Sequence, residues 1–156
     1  MTWRAIAVSA VIVTVLVYVV GSGIWVSTGT SWYATIDKPA WQPPPWFVGL
    51  IWPYNFVVVA VVGSVIAWNA TPQRVLTFVT VLPITSVLAI TWAYLFFTPH
   101  QLLGSAIALT CAALLTLPLT VIAFTEQWWL GVLFLPYQLW IATAASLSWG
   151  YVAIGA

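Results

Sequence analysis

The pattern of apolar and polar positions is a succession of long apolar runs, each closed by a short polar cluster. A helix that crosses a hydrocarbon layer of ~30 Å needs roughly 20 apolar residues, and in lipid its backbone groups must be satisfied within the element. Five runs meet that length, predicting spanning helices at about Ala5–Val26, Trp46–Trp68, Gln73–Phe97, Gln101–Phe124 and Trp128–Tyr151. The ~10-residue alternating strands of a membrane barrel are missing from the pattern. The first run exceeds the 7–15 apolar residues of a signal peptide and no small-residue cleavage site follows, so it reads as the first span. Breaks at Thr71-Pro72, Thr98-Pro99 and Thr125-Glu126 each place a hydroxyl at a candidate N-cap, followed by a proline or an acid suited to the first turn. Trp46 and Trp68 bracket the second span at a separation of roughly 33 Å, and Trp129 and Trp149 bracket the fifth, as rings at the two membrane interfaces would. Connections this short leave room only for antiparallel neighbours. The expectation is one all-α, five-transmembrane-helix bundle over residues 1–156, with a lid loop at 27–45.

Composition sharpens the class. Only Arg4, Asp37, Lys38, Arg74 and Glu126 are charged, 3% of the chain, and 63% is hydrophobic. Soluble domains carry about a quarter charged residues, so this is an integral multi-pass membrane protein. A net charge of +1 provides no basic footprint, and nucleic acid is excluded as a partner. Five spans place the termini on opposite faces; Arg4 and Arg74 share one face against Lys38 on the other, which points to a cytoplasmic N-terminus. Cys111 lies alone within an apolar run and reads as a small buried hydrophobe.

The chemistry available is narrow. No carboxylate or histidine falls within a span, which removes the relay an ion-coupled transporter would use. His100 is the only imidazole. It falls in a turn, where a structural or solvated role or ligation of a haem iron are its alternatives. One His and one Cys make no metal cluster, so no metal site and no required cofactor are expected. Pro53, Pro83, Pro118 and Pro136 place a proline in every span except the first, and the bends they produce predict a cavity in the bundle. Aromatic surface is abundant. Trp52, Phe56, Trp92, Tyr94, Phe96, Tyr137 and Trp140 all lie toward the loop at Trp32–Trp52, WYATIDKPAWQPPPWFVGLIW, which holds four of the ten prolines and a charge pair. Rings offer large stacking faces at low entropic cost, and together with the loop they favour a pocket for a flat, hydrophobic ligand.

Two motifs carry a resemblance. Trp32, Tyr33, Lys38, Pro39, Trp41, Pro43, Pro44, Trp46 and Trp52, in the pattern WYxxxxKPxWxPPxWxxxxIW, closely resemble the signature of the translocator proteins, also called tryptophan-rich sensory proteins or peripheral benzodiazepine receptors. Pro136, Tyr137, Trp140, Ala144, Leu147 and Ser148, in PYxxWxxxAxxLS, resemble that family's last helix, and Trp92–Phe97 its third. The resemblance implies a five-helix bundle, usually a homodimer, whose pocket opens toward the first loop. It implies porphyrins, haem and synthetic benzodiazepine-site or isoquinoline carboxamide compounds as ligands. For some bacterial members it also implies light-dependent breakdown of protoporphyrin, with tryptophans matching Trp52 and Trp140 as the catalytic residues. Carried over residue by residue, the ligand-binding set is Tyr33, Trp41, Pro43, Trp52, Trp92, Trp140, Ala144 and Leu147. Two positions depart from the family: Ala89 stands where Asn is frequent and Thr143 where Phe is frequent, so polar contacts to a ligand are not carried over there. A cholesterol-recognition pattern would need Lys or Arg after Tyr151, where this chain reads VAIGA, so cholesterol is not an expected partner. The match reads as a bacterial member in the cell membrane, with lipid around it.

Three functions follow as expectations. The first is a receptor that binds tetrapyrroles, the loop its lid, tryptophans its walls and Lys38 the partner of the propionates. The second is an enzyme that degrades porphyrin oxidatively through Trp52 and Trp140. The third is a structural or regulatory partner protein. Gly104, Ala108 and Ala112 form a small-xxx-small stripe on the fourth span, a candidate dimer interface.

Overall fold

The computed structural model describes residues 2–156. Seven helices follow in order: α1 (Trp3–Thr28), α2 (Thr30–Thr35), α3 (Pro45–Asn69), α4 (Pro72–Phe97), α5 (Leu102–Leu115), α6 (Leu117–Glu126) and α7 (Trp128–Ile154). Five stretches are long and apolar enough to cross a membrane, α5 and α6 together supplying the fourth as Leu102–Glu126. The spans close into a ring in which α1 sits between α3 and α4, and α7 between α3 and α5–α6, while α4 packs on α5. Two faces result. Trp3 and Arg4 meet Trp68 and Asn69 at one end of the ring, where Arg74 also pairs with Glu126 at 2.5 Å. At the other end Trp32 stacks on His100 and Tyr33 reaches Tyr151. The first is called the N-terminal face and the second the loop face; the C-terminus lies on the loop face, opposite the N-terminus.

Packing is apolar on both sides of each helix. Val11, Val62, Phe78, Leu82, Leu109 and Phe134 fill the interior, while Leu16, Leu50, Leu76 and Val121 stand outward to the lipid. The backbone approaches its neighbours closely at several glycines, of which two show how the spans meet. A Cβ at Gly63 would stand 2.8 Å from Val11 and 2.9 Å from Phe78, so this glycine lets α1, α3 and α4 meet. A Cβ at Gly131 would stand 2.1–2.5 Å from the Phe124 ring, which fixes α7 against the end of α6.

The span ends differ in detail from expectation. Thr71 occupies an N-cap with Pro72 in the first turn, but its side chain makes no capping bond. Thr98 instead closes α4, and Gln101 precedes α5. Thr125 lies inside α6, its hydroxyl donating back to the carbonyl of Val121 at 2.9 Å, and Gln127 precedes α7. In an apolar medium a threonine hydroxyl finds the carbonyl one turn back more readily than a distant N–H, and this preference overrides the cap. Among the described residues only Thr2 caps a helix through its side chain, accepting from the Ala5 N–H at 3.4 Å. The loop expected at 27–45 carries a short helix, α2, and is irregular only from Ile36 to Pro44.

Proline acts unevenly. Pro53, Pro83 and Pro136 lie inside continuous helices, whereas Pro118 follows a one-residue interruption at Thr116, whose backbone keeps helical angles (φ −77°, ψ −16°). There Ala113 offers its carbonyl to the Thr116 hydroxyl at 2.8 Å and to Nε2 of Gln138 at 3.0 Å, and Thr120 donates to Oε1 of Gln138 at 3.1 Å. A backbone opened in lipid needs such substitutes, and Gln138 on α7 supplies one from the neighbouring span. The small-residue stripe of the fourth span is not an outer surface. Ala108 and Ala112 are buried within the chain and a Cβ at Gly104 would stand 3.3 Å from Leu95 of α4, so the stripe packs α5 onto its own neighbours. The opposite side of α5 faces outward, and Cys111 lies there, exposed rather than buried.

Candidate functional site

Three spans bring their tryptophans together just inside the loop face. Trp52 of α3 is the centre: its ring lies 6.3 Å from Trp92 of α4 at 23°, 6.1 Å from Trp140 of α7 at 90°, and 5.8 Å from Phe56 at 27°. Phe47 closes the far side of Trp140 at 5.7 Å. On α7 the positions Trp140, Ala144, Leu147, Ser148 and Tyr151 recur at helical spacing and all face inward. Trp92 is fixed by this stripe, its Nε1 donating to Oγ of Ser148 at 2.9 Å, while that hydroxyl donates to the Ala144 carbonyl at 3.0 Å. The rings continue toward the loop: Trp92 stacks with Phe96 at 6.1 Å, and Phe96 meets Trp32 at 5.3 Å and Tyr151 at 5.0 Å.

The loop is docked over this end. Nε2 of Gln42 donates to the Tyr33 hydroxyl at 2.8 Å, the hydroxyls of Tyr33 and Tyr151 lie 3.1 Å apart, and the Tyr151 hydroxyl donates to Oε1 of Gln42. Each of the three groups can thereby donate once and accept once, a closed cycle that ties the loop to α7. Pro39 is buried and packs with Trp41 on Gly150, where a Cβ would stand 2.7 Å from each. Trp41 is otherwise exposed and Pro43 half-buried. The Lys38 ammonium is folded back on the loop, donating to the carbonyls of Tyr33 at 2.7 Å and Ile36 at 2.9 Å, and it lies 4.6 Å from the Tyr33 ring centre.

Of the residues expected at the site, Trp52, Trp92, Trp140, Ala144 and Leu147 converge on one aromatic box, and Tyr33, Trp41 and Pro43 belong to the loop above it. Trp52 and Trp140 meet edge to face, so they are not parallel walls. A flat molecule between two parallel rings needs a separation of about 7 Å, two van der Waals layers, and the box reaches that only if a ring turns. Two recesses of about 530 and 290 Å³ lie at the N-terminal face, lined by Thr2, Trp3, Arg4, Trp68 and Asn69 and by residues around Glu126 and Trp129. At the departures from the family pattern, Ala89 is buried in the core and Thr143 donates to the Leu139 carbonyl of its own helix at 2.8 Å. Sequence reasoning missed Gln42 and Tyr151 as loop anchors. Gln42 lies between two motif residues, Trp41 and Pro43, and a lone carboxamide in an apolar proline-rich loop was the available signal.

A membrane bundle of five spans with an indole box beneath a proline-rich loop defines the class. The TspO/MBR family model matches residues 9–154, and the chain belongs to that family. It is 25% identical to protein CrtK of Rhodobacter capsulatus over 76% of this chain and 74% of that one. It is 27% identical to the tryptophan-rich protein TspO of Bacillus cereus over 80% of each. The translocator protein of Sus scrofa is 33% identical, over 78% of this chain and 73% of that protein.

Proposed function

We propose that the protein is a translocator-type membrane receptor whose ligand is a porphyrin or related tetrapyrrole, held in the aromatic box under the docked loop. The observation that carries this reading is the convergence of three spans on Trp52, whose ring lies 6.3 Å from Trp92 and 6.1 Å from Trp140. A macrocycle is a broad apolar plate, and stacking on indole faces would replace the ring contacts the box now makes with itself. Its propionates would remain at the loop face, because the interior offers no cation to offset a buried carboxylate. For Lys38 to meet them it would exchange its two carbonyl partners for a carboxylate, a charge-assisted bond roughly twice as strong as a neutral one. The same proposal includes a homodimer, the stripe on α5 being taken up within the chain, and residence in a bacterial cell membrane. Titration of the purified protein with protoporphyrin, read by quenching of tryptophan fluorescence, is the test. Saturable quenching that weakens in Trp52→Ala and Trp140→Ala is expected; linear, non-saturating quenching unchanged in both variants refutes the site.

A second reading is favoured by one specific observation, the contact of Trp52 with both other indoles. Adjacent oxidisable rings suit an enzyme that degrades porphyrin under light, with dioxygen as the oxidant. Loss of porphyrin absorbance in light but not in darkness, dependent on Trp52 and Trp140, would select it over the receptor.

A further inference from the structure

Five buried side-chain polar atoms have no hydrogen-bond partner among the described residues: Nε1 of Trp140 in the aromatic box and, deeper in the bundle, the hydroxyls of Tyr18 and Tyr137 and both ends of the Asn55 carboxamide. Their side chains are closed off from the exterior, Asn55 at 0% exposure and the two tyrosines at 1%. They come from three spans. Asn55 lies three residues beyond Trp52 on α3, and Tyr137 three residues before Trp140 on α7. Because α3 and α7 run in opposite directions, both positions lie deeper than the aromatic box by three residues of helical rise, about 4.5 Å. Tyr18 of α1 joins them, its ring edge-on to Trp52 at 6.3 Å and to Phe56 at 5.1 Å, with its hydroxyl approaching that of Tyr137. The set forms a polar layer beneath the aromatic box.

An amide or hydroxyl withdrawn from water without a partner is costly, and native interiors satisfy about nine in ten buried polar groups. Leucine and phenylalanine would fill the same three positions with no such cost. Unsatisfied atoms at one depth on neighbouring helices point to a shared partner, and the chemistry of the set defines it. Asn offers two N–H donors and a carbonyl acceptor, and each phenol both donates and accepts. The charged residues Arg4, Asp37, Lys38, Arg74 and Glu126 all lie at the faces, so nothing nearby would neutralise an ionic occupant. We propose that Tyr18, Asn55 and Tyr137 form a binding site for a neutral hydroxyl oxygen, supplied by a buried water or by the alcohol end of an apolar ligand reaching down through the box. The site also orients ligands: a neutral hydroxyl goes down to the polar layer, and a charged end stays at the loop. It stands whether or not the box takes a tetrapyrrole.

The test uses the full chain in lipid nanodiscs. Asn55→Leu, close to isosteric, separates a used carboxamide from a merely tolerated one. If the polar layer holds a hydroxyl oxygen, Asn55→Leu and Tyr18→Phe each lower the unfolding temperature; a rise in Asn55→Leu overturns the proposal. Two direct readouts identify the source. A nuclear Overhauser contact between water and the Asn55 side-chain amide protons reports a bound water. A fluorescence titration comparing 1-pyrenemethanol with 1-methylpyrene reports an alcohol: a preference for the alcohol on the order of threefold to tenfold, present in wild type and lost in Asn55→Leu, is expected of one neutral hydrogen bond. Either readout supports the site, and the absence of both overturns it. Should Asn55→Leu fail to fold, Tyr18→Phe and Tyr137→Phe carry the same comparison.

Discussion

Replacing Gly150 by alanine adds one methyl group at the seam where the loop rests on α7. That carbon would stand 2.7 Å from Cγ of Pro39, 2.7 Å from Cζ2 of Trp41 and 3.0 Å from Cβ of Pro39. Carbon atoms in contact settle at 3.5–4.0 Å, so the loop has to withdraw by about 1 Å. The cycle of Tyr33, Gln42 and Tyr151 cannot follow, because bonds now at 2.8 and 3.1 Å would then exceed hydrogen-bond length. Each neutral bond contributes about 1 kcal/mol net, so losing two or three of them lowers the free energy of loop opening by roughly 2–3 kcal/mol. The open fraction then rises by roughly 30- to 150-fold. Global stability should fall by less, by roughly 1–2 kcal/mol, since alanine in a helix is favoured over glycine by up to about 1 kcal/mol, which offsets part of the loss. The assay is hydrogen exchange of the loop amides, above all Gln42, whose N–H donates to the Pro39 carbonyl at 3.0 Å. Gly49→Ala is the control, because nothing lies within 4 Å of its Cβ. Loop exchange in Gly150→Ala equal to wild type and to the control would refute the docking argument.

Other substitutions probe the rest. Gly131→Ala drives a methyl into the Phe124 ring at 2.1–2.5 Å, and thermal unfolding should show a loss of at least 1–3 kcal/mol, the usual scale of overpacking; an unchanged unfolding temperature would contradict the α6–α7 packing. At the aromatic box, Trp52→Phe and Trp140→Phe should weaken protoporphyrin binding modestly and the alanine variants by about 1–3 kcal/mol, judged by analogy with stacking on nucleobases; illumination separates the two readings, since in an enzyme the phenylalanine variants lose degradation even where binding survives. Reporter fusions at both termini should report from opposite sides of the membrane, and agreement between them would mean the span count is wrong.

Much of this protein is legible in its sequence because lipid imposes a severe rule. Backbone groups with no water to bind must close within a helix, so apolar run length alone determines the number of spans, and the motif residues of the loop and last helix determine the family. What the sequence did not determine depends on which neighbour a group meets. Of the threonines expected at helix starts, Thr125 bonds its own helix, Thr71 makes no capping bond and Thr98 ends its helix, Pro118 follows an interruption of its span while three other prolines lie in continuous helices, and Gln138 bonds the Ala113 carbonyl there from 25 residues away in sequence. Hydropathy is equally blind to direction around a helix whose surroundings are apolar inside and out. It therefore could not tell that Cys111 faces outward and that Ala108 and Ala112 face inward, nor that Trp52 and Trp140 meet edge to face. Only the packing of five helices into a ring decides those contacts, because a side chain's partner there is set by helix rotation and depth rather than by its own chemistry.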